Sequence, residues 1–106
     1  MTSPHLSFLA AMSLALCSAT AFAQDKNLGR NLAAQCANCH GTNGNSKAAI
    51  PGLAGRDKTS LITAMEEFKS GKRTGPQATV MHQIAKGYTE AQIAAMAEFF
   101  AAQKTK

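Results

Sequence analysis

The chain has 106 residues, 45% of them apolar and 16% charged, which gives room for one small domain. Its 11 Lys and Arg outnumber 6 Asp and Glu, for a formal net charge of +5. This balance does not point to nucleic acid, because the basic residues lack the interleaved aromatics on which nucleobases stack.

Residues 6–16 (LSFLAAMSLAL) form an apolar run too short to span a bilayer, and Ala21-Phe22-Ala23 is a small-x-small cleavage site. Segment 1–23 is therefore expected to be an export signal cleaved after Ala23, although no Lys or Arg precedes the run. Cys17 raises the alternative of lipid attachment, but Leu16 stands before it where that processing wants a small side chain. Every Lys, Arg, Asp and Glu lies after residue 23, so the expected mature domain, 24–106, carries the whole +5. That domain has no membrane span and is expected in a bacterial periplasm. Loss of Cys17 also turns three cysteines into a pair.

Asp25 is placed to cap a first helix whose apolar stripe is Leu28, Leu32 and Cys36. Gly29 inside it costs about 1 kcal/mol against alanine, which calls for a packing reason. The helix delivers Cys36-Ala37-Asn38-Cys39-His40 at its C-terminal end. Two thiols separated by two residues, followed at once by a histidine, are the pattern for covalent attachment of c-type haem. Each thiol can add to a haem vinyl group, and the histidine is placed to be the proximal iron ligand. Three rivals are weaker. A thioredoxin-type redox pair needs a strand–helix–strand context, and no strand alternation is visible. A zinc site needs four ligands, and there is no second Cys-x-x-Cys. A disulfide at this spacing would be strained and would leave His40 without a role.

Residues 41–56 (GTNGNSKAAIPGLAGR) read as an ordered loop. Pro51 within it offers a carbonyl to the second ring nitrogen of His40, the kind of partner that fixes a ligating histidine's tautomer and basicity. A second helix is expected from residue 58, with Leu61, Ile62, Met65 and Phe68 on one face and Gly71 closing it. Lys69, Lys72 and Arg73 cluster beside the next loop, 71–79. They are the best candidates for a positive face that speeds encounter with an acidic partner, the alternative being a merely solvated basic surface.

A short segment, 80–86, follows and stops at Gly87. Met81, after the Gly-Pro loop, is expected to approach the iron from a non-helical segment as the second axial ligand. A thioether opposite a histidine raises the reduction potential, which suits an electron carrier. His82 is the alternative ligand and would give a lower-potential pair of histidines. Met65 and Met96 sit in apolar helical stripes, where methionine usually fills core space. Thr89 with Gln92 forms a capping box for the last helix, whose stripe is Ile93, Met96, Ala97 and Phe100. The expected fold class is all-α: three main helices and a short helical segment around one covalently bound haem.

The chain resembles class I c-type cytochromes over nearly all of 24–106. The resemblance rests on GRNLAAQCANCHG, IPGLAG, EEFKSGKRTG, TVMHQIAKGY and IAAMAEFFAAQ. It implies that Cys36 and Cys39 carry the haem thioethers, that His40 and Met81 are the axial ligands, and that Pro51 accepts the His40 hydrogen bond. It also implies that the first and last helices cross where Gly29 meets Phe99. Within the family the chain is similar to short cytochrome c-553-type carriers and to the cytochrome subunit of flavocytochrome c sulfide dehydrogenase. Arg56 stands where such relatives often have Gln.

The expected function is single-electron transfer through one haem c, without catalysis of its own. The implied partners are redox proteins, among them a flavoprotein dehydrogenase and a terminal oxidase or reductase. The alternatives are a haem subunit of a sulfide dehydrogenase complex and, from another class, a small peroxidase or gas sensor. The last requires an open distal site, with His82 as its only acid–base candidate.

Overall fold

The computed structural model describes residues 25–106, so the expected signal segment and Cys17 lie outside the described residues. Within them all regular structure is helical. Helix α1 (Leu28–Ala33) runs through a 3₁₀ turn (Ala34–Cys36) into α2 (Ala37–His40), and a second 3₁₀ turn spans Thr42–Gly44. The remaining helices are α3 (Lys58–Ser70), α4 (Ala78–Ala85) and α5 (Glu90–Ala101). Helix α5 packs on both α1 and α3, and α4 lies on α3. No helix among the described residues is long and apolar enough to cross a membrane.

Two local expectations are corrected at the start of α1. The capping position is Asn27, whose side chain makes no capping bond. Asp25 instead folds a turn just before the helix, accepting from the Asn27 N–H at 2.8 Å through its side chain and from the Leu28 N–H at 2.9 Å through its carbonyl. Short acidic side chains compete for backbone donors in this way. The leucine stripe is also not the deepest face: Leu28 is 38% exposed, whereas Ala33 is 3% exposed. Helix α5 comes too close for large side chains there. A β-carbon on Gly29 would overlap the Ala95 carbonyl oxygen and lie 3.3 Å from Phe99 Cβ, so only glycine permits this crossing.

The other ends follow local chemistry. Asp57 caps α3 by accepting from the Ser60 N–H at 2.9 Å, and Gly71 ends that helix in the left-handed conformation. At α5 the Thr89–Gln92 capping box is complete, with bonds of 3.2 and 2.9 Å. Helix α4 starts at Ala78, with Gln77 at φ 65° before it. Its Ala78 and Ala85 turn inward, leaving Val80 and Ile84 exposed.

The central cluster joins Ala33, Leu61, Ala97 and Phe100, with Cys36, Leu53, Ile62 and Phe99 packed against it. Among the described residues, five of the nine buried apolar ones are alanines, namely Ala33, Ala54, Ala78, Ala85 and Ala97. Alanine brings little apolar area into a core, so a domain this small gains from a covalent or metal staple.

Candidate functional site

The site is assembled where α2 ends. Cys36 closes the 3₁₀ turn, Cys39 and His40 form the last turn of α2, and the backbone swings away at Gly41. Both cysteines are free thiols, Cys36 half-buried and Cys39 exposed. Burial pushes the Cys36 thiol up; a backbone hydrogen bond opposes this and the neighbouring Cys39 adds to it. A thioredoxin-type nucleophile is held the other way, with its thiol lowered. Nor does a group of three or more His, Cys, Asp or Glu side chains converge to hold a metal ion among the described residues.

His40 Nδ1 lies 2.7 Å from the Pro51 carbonyl oxygen. A carbonyl can only accept, so Nδ1 carries the proton and Nε2 keeps its lone pair for a metal. Loop closure brings Pro51 there. The Gly44 carbonyl accepts from the N–H groups of Leu53 at 2.8 Å and Ala54 at 3.1 Å, folding 44–54 back on itself. Gly44 is buried at φ 78°, and a β-carbon on it would sit 2.8 Å from both Ala54 N and Phe100 Cδ1. The loop's exit is tied to α5 by a 2.9 Å bond from Gly55 N–H to the Phe100 carbonyl.

Met81 departs from the expected approach. It lies inside α4 and is half-buried, so its side chain leaves a helix rather than an extended loop. The Gly75 carbonyl accepts from the Ala78 N–H at 3.1 Å, and Gln77 takes the left-handed conformation that lets the helix begin three residues before Met81. Met96 is only 4% exposed in the core, and Met65 is half-buried on α3.

His82 is engaged elsewhere. Its Nε2 is 2.5 Å from the Arg73 carbonyl, and its ring lies 6.1 Å from that of Phe68. The three clustered cations differ in their surroundings. Lys69 Nζ donates to the Tyr88 carbonyl at 2.6 Å, while Arg73 pairs with Glu67 at 3.1 Å and covers the Phe68 ring. Two of the three cations are drawn into contacts within the fold, because their long apolar stems pack while their head groups find nearby acceptors.

Sequence reasoning missed Asn45. It follows Gly44, and its side-chain amide bonds to the backbone of Lys104 and Lys106. The Gly-Asn step of the loop is a turn signal, but it does not reveal so distant a partner.

The donor set fits haem c. Two free thiols flanking one turn and a histidine with an oriented ring supply two anchors and one nitrogen ligand, while Met81 lies on a separate helix. Comparison with known proteins agrees. The family model described as Cytochrome c matches residues 27–104. The cytochrome subunit of sulfide dehydrogenase from Chlorobaculum tepidum is 46% identical over 72 residues, which cover 68% of this chain and 63% of that protein. Cytochrome c-554(548) from Halomonas halodenitrificans is 32% identical over 83 residues, 77% of this chain and 100% of its own length. Cytochrome c4 from Pseudomonas aeruginosa is 37% identical over 83 residues, but they are only 40% of that protein. The chain thus spans less than two thirds of the first and third of these relatives.

Proposed function

The chain belongs to the cytochrome c family, whose cofactor is covalently attached haem c, and from that premise we propose that it is a single-electron carrier of the periplasm. The observation that supports this most is the His40–Pro51 bond of 2.7 Å, formed one residue after a pair of free thiols. Cys36 and Cys39 are the thioether anchors. His40 Nε2 and the Met81 thioether are the two axial ligands, and the Pro51 carbonyl holds the His40 ring in its tautomer.

When bound, the haem iron cycles between Fe(III) and Fe(II), taking up and releasing one electron. The protein's part is rigidity. The closed loop 44–54 and the helical setting of Met81 hold both ligands in place, so that little has to reorganise when charge changes. The segment 1–23 is read as the export signal, cleaved after Ala23, with haem attached after export. Encounters with redox partners are expected to be small and transient.

A second reading has support in the 46% identity to a sulfide dehydrogenase cytochrome subunit. In that reading the same domain stays docked on a flavoprotein and receives its electrons there. Purification from the native host distinguishes the two: a free carrier elutes alone, whereas a subunit elutes with a flavin-bearing chain.

The ligand assignment is tested by proton NMR of the reduced protein. Ring current from the haem shifts a coordinated Met81 methyl far upfield of all other methyls, and Met81→Ala removes that signal. An upfield methyl that survives the substitution refutes the assignment.

A further inference from the structure

Asn45 carries a contact that electron transfer through His40 and Met81 does not by itself require. Its Nδ2 donates to the Lys104 carbonyl at 3.1 Å, and its Oδ1 accepts from the Lys106 N–H at 2.8 Å. One side-chain amide thus meets a carbonyl and an N–H two residues apart, using a donor and an acceptor together as a strand edge does. The segment after α5 is thereby clasped onto the loop that follows the attachment motif. Residue 105 also passes close to Gly55: a β-carbon added there would lie 3.3 Å from Thr105 Cγ2.

The clasp sits at a critical place in the loop. Asn45 directly follows Gly44, whose carbonyl closes 44–54 through Leu53 and Ala54. At the far side of that closed loop the Pro51 carbonyl meets His40 Nδ1 at 2.7 Å. Gly55 fastens the loop's exit to Phe100 of α5. The loop is therefore held at its exit by α5 and at its entry by residues 104–106, with Pro51 between the two.

We propose that Asn45, by clasping residues 104–106, fixes the loop that presents Pro51 and so sets the strength of the hydrogen bond to His40. Asn45 acts through Pro51 and His40 and is a positioning residue. The inference rests on reading His40 as an axial ligand. A stronger bond at Nδ1 makes the imidazole more basic, and a more basic ligand favours the more highly charged, oxidised iron. Releasing the clasp weakens the bond and raises the reduction potential.

The test uses the intact protein with haem attached, as Asn45→Ala, as Lys106→Pro, and as a chain ending at Gln103. The expected result is a rise in midpoint potential of about threefold in the redox equilibrium, ~30 mV at 59 mV per tenfold for one electron. The His40 Nδ1 proton should exchange faster with solvent, while the absorption spectrum keeps the coordination of the unmodified protein. Asn45→Ala placed in the shortened chain should add no further shift, because both changes remove the same contact. Reduced thermal stability with unmoved potential and unmoved proton exchange overturns the proposal, leaving Asn45 a mere brace. Where Asn45→Ala fails to mature, Lys106→Pro removes a single bond of the clasp and is read by the same potential and proton exchange. If His40 does not ligate the iron in the unmodified protein, the ligand reading and this inference both fall. With that coordination present and every potential unmoved, only the inference falls.

Discussion

Gly29 lies against the backbone of Ala95 so closely that a β-carbon on it would overlap the Ala95 carbonyl oxygen. This contact fixes how α1 crosses α5, and α1 leads directly into the turn that carries Cys36, Cys39 and His40. Gly29→Ala gains about 1 kcal/mol of helix propensity but forces the two helices apart, at a cost of roughly 2–3 kcal/mol for overpacking. A net loss of stability is expected in chemical denaturation of the haem-bearing protein, together with a shifted haem spectrum as the attachment turn moves.

The same logic applies more strongly at Gly44. Its φ of 78° disfavours any side chain, and the space for a β-carbon is already filled by Ala54 N and Phe100 Cδ1 at 2.8 Å. Gly44→Ala is expected to cost about 2–4 kcal/mol from strain and clash together. It should also lengthen the His40–Pro51 bond, because Gly44 closes the loop that presents Pro51. Denaturant midpoints and His40 Nδ1 proton exchange measure the two effects separately.

A purely local control is available at Thr89. The capping box of α5 uses the Thr89 side chain on the Gln92 N–H at 3.2 Å. Thr89→Ala should lower stability by about 1 kcal/mol and leave the reduction potential unchanged, since no part of the cap touches the site. Equilibrium unfolding and a redox titration check both halves.

Arg73 gives a prediction about partners. Its guanidinium pairs with Glu67 and stacks over Phe68, so it is not displayed as a free charge. Arg73→Ala should change the salt dependence of electron transfer to an acidic partner less than Lys72→Ala does, because Glu67 already offsets the Arg73 charge while Lys72 has no ion pair among the described residues. Stopped-flow rates across a range of ionic strength decide it.

How far the fold could be read in advance depended on where each determinant lies. Helix α5 was legible because its capping box and its Ile93, Met96, Ala97, Phe100 stripe sit within a dozen residues. Helix α3 was legible for the same reason, with Gly71 marking its end. The start of α1 was not, because its buried face is made by Gly29 and Ala33, and small residues leave no hydrophobic periodicity. The start of α4 was missed because Gln77 takes a left-handed conformation that few side chains adopt. Within the site, the attachment motif is a local pattern and could be read directly. The Pro51 carbonyl was also named from sequence, though the closure at Gly44 that brings it to His40 was not, and Asn45 depends on partners 59 and 61 positions away.

The central claim is that His40 and Met81 together close the iron to outside ligands while one electron passes. The most direct measurement is exposure of the reduced, haem-bearing protein to carbon monoxide, followed by absorption spectroscopy in parallel with Met81→Ala. The account predicts no rapid binding to the unmodified protein and rapid binding to Met81→Ala, whose reduction potential should also fall. Rapid binding to the unmodified protein would contradict it.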